Sequence, residues 1–146
     1  MFYLARKVWR NDYSAVISSI LYIYAPYRAV DVWVRGALPE ALSFVLFPLI
    51  ILAIEYGNIL WFAIFLALLV LTHNLSLVLF APFLIAWIFY RKFWKVIPGT
   101  FVAMGLSAFY VLPVIFESKF INIQSTTQGY FDFRAHFITL YQILIS

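Results

Sequence analysis

Apolar and polar positions alternate along this chain on the scale of whole helices. From Tyr56 to Tyr90, thirty-five residues pass without one Asp, Glu, Lys or Arg, and the run is broken at its middle by Thr72, His73 and Asn74. A single helix of that length would be about 52 Å long at 1.5 Å per residue, whereas the hydrocarbon core of a bilayer is about 30 Å thick. The run therefore crosses twice, or crosses once and re-enters. The polar break marks its turn, and Arg91, Lys92 and Lys95 mark the end that faces the cytoplasm.

Period-2 alternation is absent from the long apolar runs, so barrel strands are not expected and helices are left as the way to satisfy backbone groups in lipid. The expected fold is all-α, a multi-pass transmembrane bundle of about five spans or part-spans, at residues 13–25, 42–54, 58–72, 75–90 and 97–116. The first is short and ends at Pro26. The second follows Pro39 and Glu40, which suit a first helical turn. The fifth is flexed by Gly99, Gly105 and Pro113. Between the first two, residues 26–38 place Val30, Trp33, Val34, Ala37 and Leu38 on one helical face and Arg28, Asp31 and Arg35 on the other, an amphipathic helix lying in the interface. An outer loop, 117–136, precedes an apolar stretch from Phe137 to Ile145.

Composition narrows the class. The chain has 146 residues, 66% hydrophobic, 21% aromatic and 11% charged, where a soluble domain carries charge on about a quarter of its residues. The net charge of +4 does not point to nucleic acid, because the basic residues sit in short clusters between apolar spans. Six of them (6, 7, 10, 91, 92, 95) fall on one side of the expected spans and four (28, 35, 119, 134) on the other. That bias places the N-terminal cluster in the cytoplasm of a cell with the protein in its plasma (inner) membrane. Trp9, Trp33, Trp61, Trp87 and Trp94 lie near the expected boundaries, as interfacial anchors do. The absence of cysteine excludes disulfides, thiolate nucleophiles and cysteine zinc sites, and no signal-peptide cleavage pattern follows Arg6, Lys7 and Arg10. Both ends read as joined to the remainder of a longer chain: Met1 to Ala5 resembles the tail of a preceding span, and the chain stops within an apolar run.

Candidate chemistry gathers on the expected outer face. Arg28, Asp31, Arg35, Glu40, His73, Asn74, Glu117, Lys119, Asp132, Arg134 and His136 lie there, while the cytoplasmic loops offer basic residues with Asp12 and Glu55. Arg28, Asp31 and Arg35 either pair with one another on an exposed helix, at about 0.2 to 0.5 kcal/mol a pair, or the two guanidiniums hold a lipid phosphate with Asp31 orienting them. Asn74 is expected to cap the following helix. His73 is either an inert turn residue or a phosphate ligand or general base. Glu55 is expected to be a solvated helix end, and Glu117 and Lys119 an outer boundary. The catalytic candidates are thus Asp31, Glu40 and His73, the lipid-phosphate candidates Arg28 and Arg35, and no metal site is expected.

The strings LYIYAPYRAVDVWVRGALPEALSFVLFPLI (21–50), LTHNLSLVLFAPFL (71–84) and LSAFYVLPVIFESKFINIQSTTQGYFDFRAHF (106–137) resemble the multi-spanning proteins called 6-pyruvoyl-tetrahydropterin synthase-related membrane proteins. The name does not imply the soluble enzyme's chemistry: that enzyme's zinc needs three histidines, and this chain holds His73 and His136. The resemblance implies an architecture similar to C-type glycosyltransferases, which take sugar from a polyprenyl-phosphate carrier at the outer face. It therefore implies a polyprenyl-phosphate-sugar donor, membrane lipid as partner, no nucleic acid, and a role in envelope glycan or lipid assembly. The alternative is a non-catalytic transport or scaffold subunit that handles lipid or polymer. Those glycosyltransferases carry an acidic residue in their first outer loop, which would lie upstream of Met1.

Overall fold

The computed structural model describes residues 1–120. His136, Arg134, Asp132, most of the expected outer loop and the apolar stretch after it lie outside the described residues. Seven α-helices run in order: α1 Phe2–Trp9, α2 Asp12–Ile23, α3 Pro26–Ala29, α4 Leu38–Glu55, α5 Ile59–Thr72, α6 Asn74–Arg91 and α7 Val96–Glu117. A π-helical segment, Val30–Arg35, continues α3, and a 3-10 turn, Ser118–Phe120, follows α7. Two compact units divide the chain at Tyr110 and Val111, and all that follows on packing concerns the first, Met1–Tyr110.

Local chemistry sets the boundaries. Arg10, in the left-handed region at φ 54°, ends α1, and Asn11 starts α2 by accepting from the amides of Tyr13 (2.8 Å) and Ser14 (3.2 Å). Between α4 and α5, Gly57 takes φ 65°, its amide donates to the Ile54 carbonyl and that of Asn58 to the Ala53 carbonyl, both at 2.9 Å. This is a Schellman closure of α4. The Asn58 side chain then accepts from the Trp61 amide at 3.1 Å and opens α5.

Three helices are long and apolar enough to cross a membrane: α4 and α6 with 18 residues each and α7 with 22, or about 27 and 33 Å at 1.5 Å per residue. The 14 residues of α5 and 12 of α2 are apolar but shorter. The core is the seam between α4 and α5, where Ile50, Ile54, Phe62, Leu66 and Leu69 are buried. Phe47 of α4 stacks on Phe80 of α6 at 4.4 Å between ring centres. Gly99, Ala103 and Ser107 recur every four residues on the buried face of α7, and small side chains there let helices approach closely. Much of the remaining surface is large and apolar: Leu79, Phe101 and Phe109 are each about 70% exposed (72%, 69% and 73%). In water such a surface would drive association; against lipid tails it is the expected exterior.

The bundle has two chemically different ends. At one, Arg91 and the indole nitrogen of Trp87 both donate to Glu55, and the Lys7 ammonium sits 4.5 Å from the centre of the Tyr56 ring. These contacts bring the N-terminal and 91–95 basic clusters together. Glu55 departs from the solvated helix end expected of it: its side chain is fully buried, because Trp87 and Arg91 on α6 close over it.

Residues 26–38 also depart from the sequence expectation. The helix stops at Arg35, since Gly36 turns left-handed at φ 63° and α4 begins at Leu38, so Ala37 and Leu38 do not belong to it. Its polarity is inside out relative to a water-facing surface helix. Val30, Trp33 and Val34 are exposed, whereas Asp31 is fully buried.

Candidate functional site

The end of the bundle opposite Glu55 carries a cluster of ionisable groups from α3, the π segment and α4. Pro26 starts α3 with its fixed φ and no amide to waste. From there Tyr27, Asp31 and Arg35, four residues apart, turn toward the first turn of α4. The Arg35 guanidinium is the hub: Nη1 lies 3.3 Å from Asp31 Oδ1, 3.1 Å from Glu40 Oε2 and 3.2 Å from the Tyr27 hydroxyl. Tyr27 in turn donates to Glu40 Oε1. Asp31 is sealed from solvent and Glu40 nearly so, at 12% side-chain exposure, while Arg35 remains 52% exposed.

Two carboxyl groups thus share one guanidinium. If both were ionised the pair would carry an uncompensated negative charge beside a buried oxygen, Asp31 Oδ2, which has no hydrogen-bond partner among the described residues. Burial foremost, and then the neighbouring Glu40, push the Asp31 carboxyl above the ordinary value of 3.8, against the pull of Arg35 and His73. The Tyr27 hydroxyl is also held above its ordinary value, first because it donates to Glu40. One proton held between Asp31 and Glu40, with Arg35 charged, makes the cluster neutral. Such a pair can accept a proton from one ligand and return it to another near neutral pH.

The expected site residues are partly brought together. Asp31, Glu40 and Arg35 converge, and His73, at the same end between α5 and α6, acts on Asp31 through its charge. His73 has a structural role as well. It, and not Asn74, caps α6: Nδ1 accepts from the Ser76 amide at 3.3 Å and lies 2.7 Å from the Ser76 hydroxyl. Asn74 is already inside the helix and donates to the Tyr110 hydroxyl at 3.2 Å. Arg28 stands apart from Arg35. It lines a groove between α1, α2 and α4, and no Arg28–Asp31 ion pair forms among the described residues. Tyr27 is not among the residues expected from sequence, although its spacing from Asp31 and Arg35 on one helix face is a signal that could have found it. No group of three metal-binding side chains occurs among the described residues.

Set against protein-family profiles, curated protein sequences and solved structures, the chain matches none.

Proposed function

We propose that this is a glycosyltransferase-like membrane protein of the 6-pyruvoyl-tetrahydropterin synthase-related kind, acting on a polyprenyl-phosphate-linked sugar at the outer face. The observation that carries the proposal is the buried Asp31–Glu40 pair held by Arg35, with one Asp31 oxygen left for a donor. In the reaction the ionised member of the pair takes the proton of the acceptor hydroxyl as its oxygen bonds to the anomeric carbon. The bond from that carbon to the phosphate oxygen breaks, and polyprenyl phosphate leaves as the anion. Arg35, half exposed, faces that charge, and His73 adds to the field at the pair.

The proposal includes the finer topology: five crossings or part-crossings, with α2 and α5 completing them, residues 26–35 at the outer interface, and the basic end in the cytoplasm of the plasma membrane. Single cysteines at Lys95 and Asn74 should then react differently with an impermeant thiol reagent in intact cells, Asn74→Cys labelled and Lys95→Cys protected.

The test of function is consumption of a polyprenyl-phosphate-linked hexose by the protein in proteoliposomes, with water as the default acceptor. Wild type should release hexose; Asp31→Asn and Glu40→Gln should still bind donor and release about a hundredfold less or lower. Equal release by all three would sink the proposal. A proton-coupled transport role is the second reading, because ionisable residues inside a membrane bundle commonly mark proton paths. It is favoured instead if wild type consumes no donor but conducts protons across the vesicle wall and Asp31→Asn does not.

A further inference from the structure

The two arginines of the 26–35 segment are not equivalent. Arg35 is occupied by Asp31, Glu40 and Tyr27. The Arg28 side chain has no ion pair and no hydrogen bond among the described residues. It stands instead at a groove of about 340 Å³ between α1, α2 and α4. The other polar groups of that groove are spent: the Ser19 hydroxyl donates to the Ala15 carbonyl at 2.7 Å and the Tyr22 hydroxyl to the Phe44 carbonyl at 2.6 Å. Below Arg28 the wall is apolar, running down α4 past Val45 and Pro48 to Leu52. Seven residues of rise make that about 10 Å.

A guanidinium with free donors at the polar end of an apolar channel is complementary to one kind of occupant, an anion attached to a hydrocarbon chain. We infer that the α1–α2–α4 groove binds one anionic phospholipid of the surrounding bilayer, its phosphate on Arg28 and one acyl chain along Val45, Pro48 and Leu52. The planar fork of arginine meets two phosphate oxygens at once, and the chain buries its methylenes against α4. Because α4 also carries Glu40, the lipid seats the helix that completes the carboxyl pair. The inference goes beyond the proposed chemistry and stands without it, since neither Asp31 nor donor consumption enters its test.

The experiment is native mass spectrometry of the protein released from nanodiscs of equal parts phosphatidylglycerol and phosphatidylcholine. Wild type should retain one phosphatidylglycerol in preference to phosphatidylcholine. Arg28→Gln should lower that retention about tenfold or more, since a charge-assisted hydrogen bond is lost, and Arg28→Lys should lower it less. Val45→Phe, which narrows the groove and leaves Arg28 in place, should lower it as well, with the melting temperature of each variant showing that it folds. Inorganic phosphate at millimolar concentration should not displace the lipid. Three results overturn the inference: retention unchanged in both Arg28→Gln and Val45→Phe, displacement by inorganic phosphate, or no phospholipid retained by wild type, as when polypeptide fills the groove.

Discussion

Gly99 offers a quantitative test of how the helices meet. A methyl group built on it would lie 2.9 Å from Phe62 Cδ1 and 3.1 Å from Ile59 Cγ1, inside the 3.5–4.0 Å at which carbon atoms attract. Phe62 is 1% exposed, and the contacting atom is a ring carbon, so the neighbour cannot swing into free space. Forcing a methylene into such a site costs about 1–3 kcal/mol. Gly105 is on the same helix, and a methyl group placed there would meet nothing within 4 Å. Both substitutions to alanine gain about 0.8–1.0 kcal/mol of helix propensity, so that gain cancels in the comparison. Gly99→Ala should therefore be less stable than Gly105→Ala by about 1–3 kcal/mol. Unfolding in mixed micelles titrated with a denaturing detergent, followed by far-ultraviolet circular dichroism, measures the difference. In a Phe62→Ala background it should vanish. Equal stability of Gly99→Ala and Gly105→Ala in the wild-type background would refute close packing of α5 against α7 at this point.

Glu55→Ala should destabilise the bundle by about 1.5–3 kcal/mol, the range for a hydrogen bond to a charged group, and Glu55→Gln by less because the Trp87 bond survives; the same detergent titration reads both. His73→Ala should lower stability by about 1 kcal/mol through loss of the α6 cap, while His73→Asn, a strong capping residue, should not. If His73→Asn keeps stability but abolishes donor consumption, the imidazole serves the site as well as the helix; if activity also survives, it is a cap alone. The folded state binds the Asp31 proton more tightly than the unfolded chain does, so its contribution to stability is full below the ordinary value of 3.8 and is lost as pH rises through the raised one. Melting temperatures of wild type minus Asp31→Asn should therefore fall as pH is raised above the ordinary carboxyl value, and a difference that rises with pH would contradict a raised Asp31 carboxyl.

The helical class, the long apolar runs and the His73 break between α5 and α6 are legible in the sequence because a lipid-length stretch without charge admits few structures. The site is legible as a set of residue types and not as an arrangement. Asp31 and Arg35 pair as their spacing suggests, but the amphipathic pattern assigns the face carrying them to solvent by a rule that holds for water-facing helices. Where the exterior is apolar the polar stripe turns inward, which is why Asp31 is buried and Trp33 exposed. For Glu55, nothing local in the sequence reveals that Trp87 and Arg91 lie above it. The cap at the α5–α6 turn shifts by one residue for a similar reason: asparagine is the better capping residue in isolation, but Tyr110, thirty-six positions away, takes the Asn74 amide, and His73 Nδ1 meets the Ser76 amide instead.

The π segment sets the phase of this whole end of the molecule. The Asp31 carbonyl receives the amides of both Gly36 and Ala37, a widened turn that holds one residue more than an α-helix would between α3 and the start of α4. Shortening the chain by one residue between Val32 and Val34 would allow the ladder to close at i+4 and rotate everything after it by about 100°. Arg35 would swing off the face it shares with Tyr27 while Asp31 stayed in the interior. A deletion that leaves hydropathy and every charged side chain intact would then separate the guanidinium from both carboxyls, so the spacing of this segment is as much a part of the site as the residues themselves.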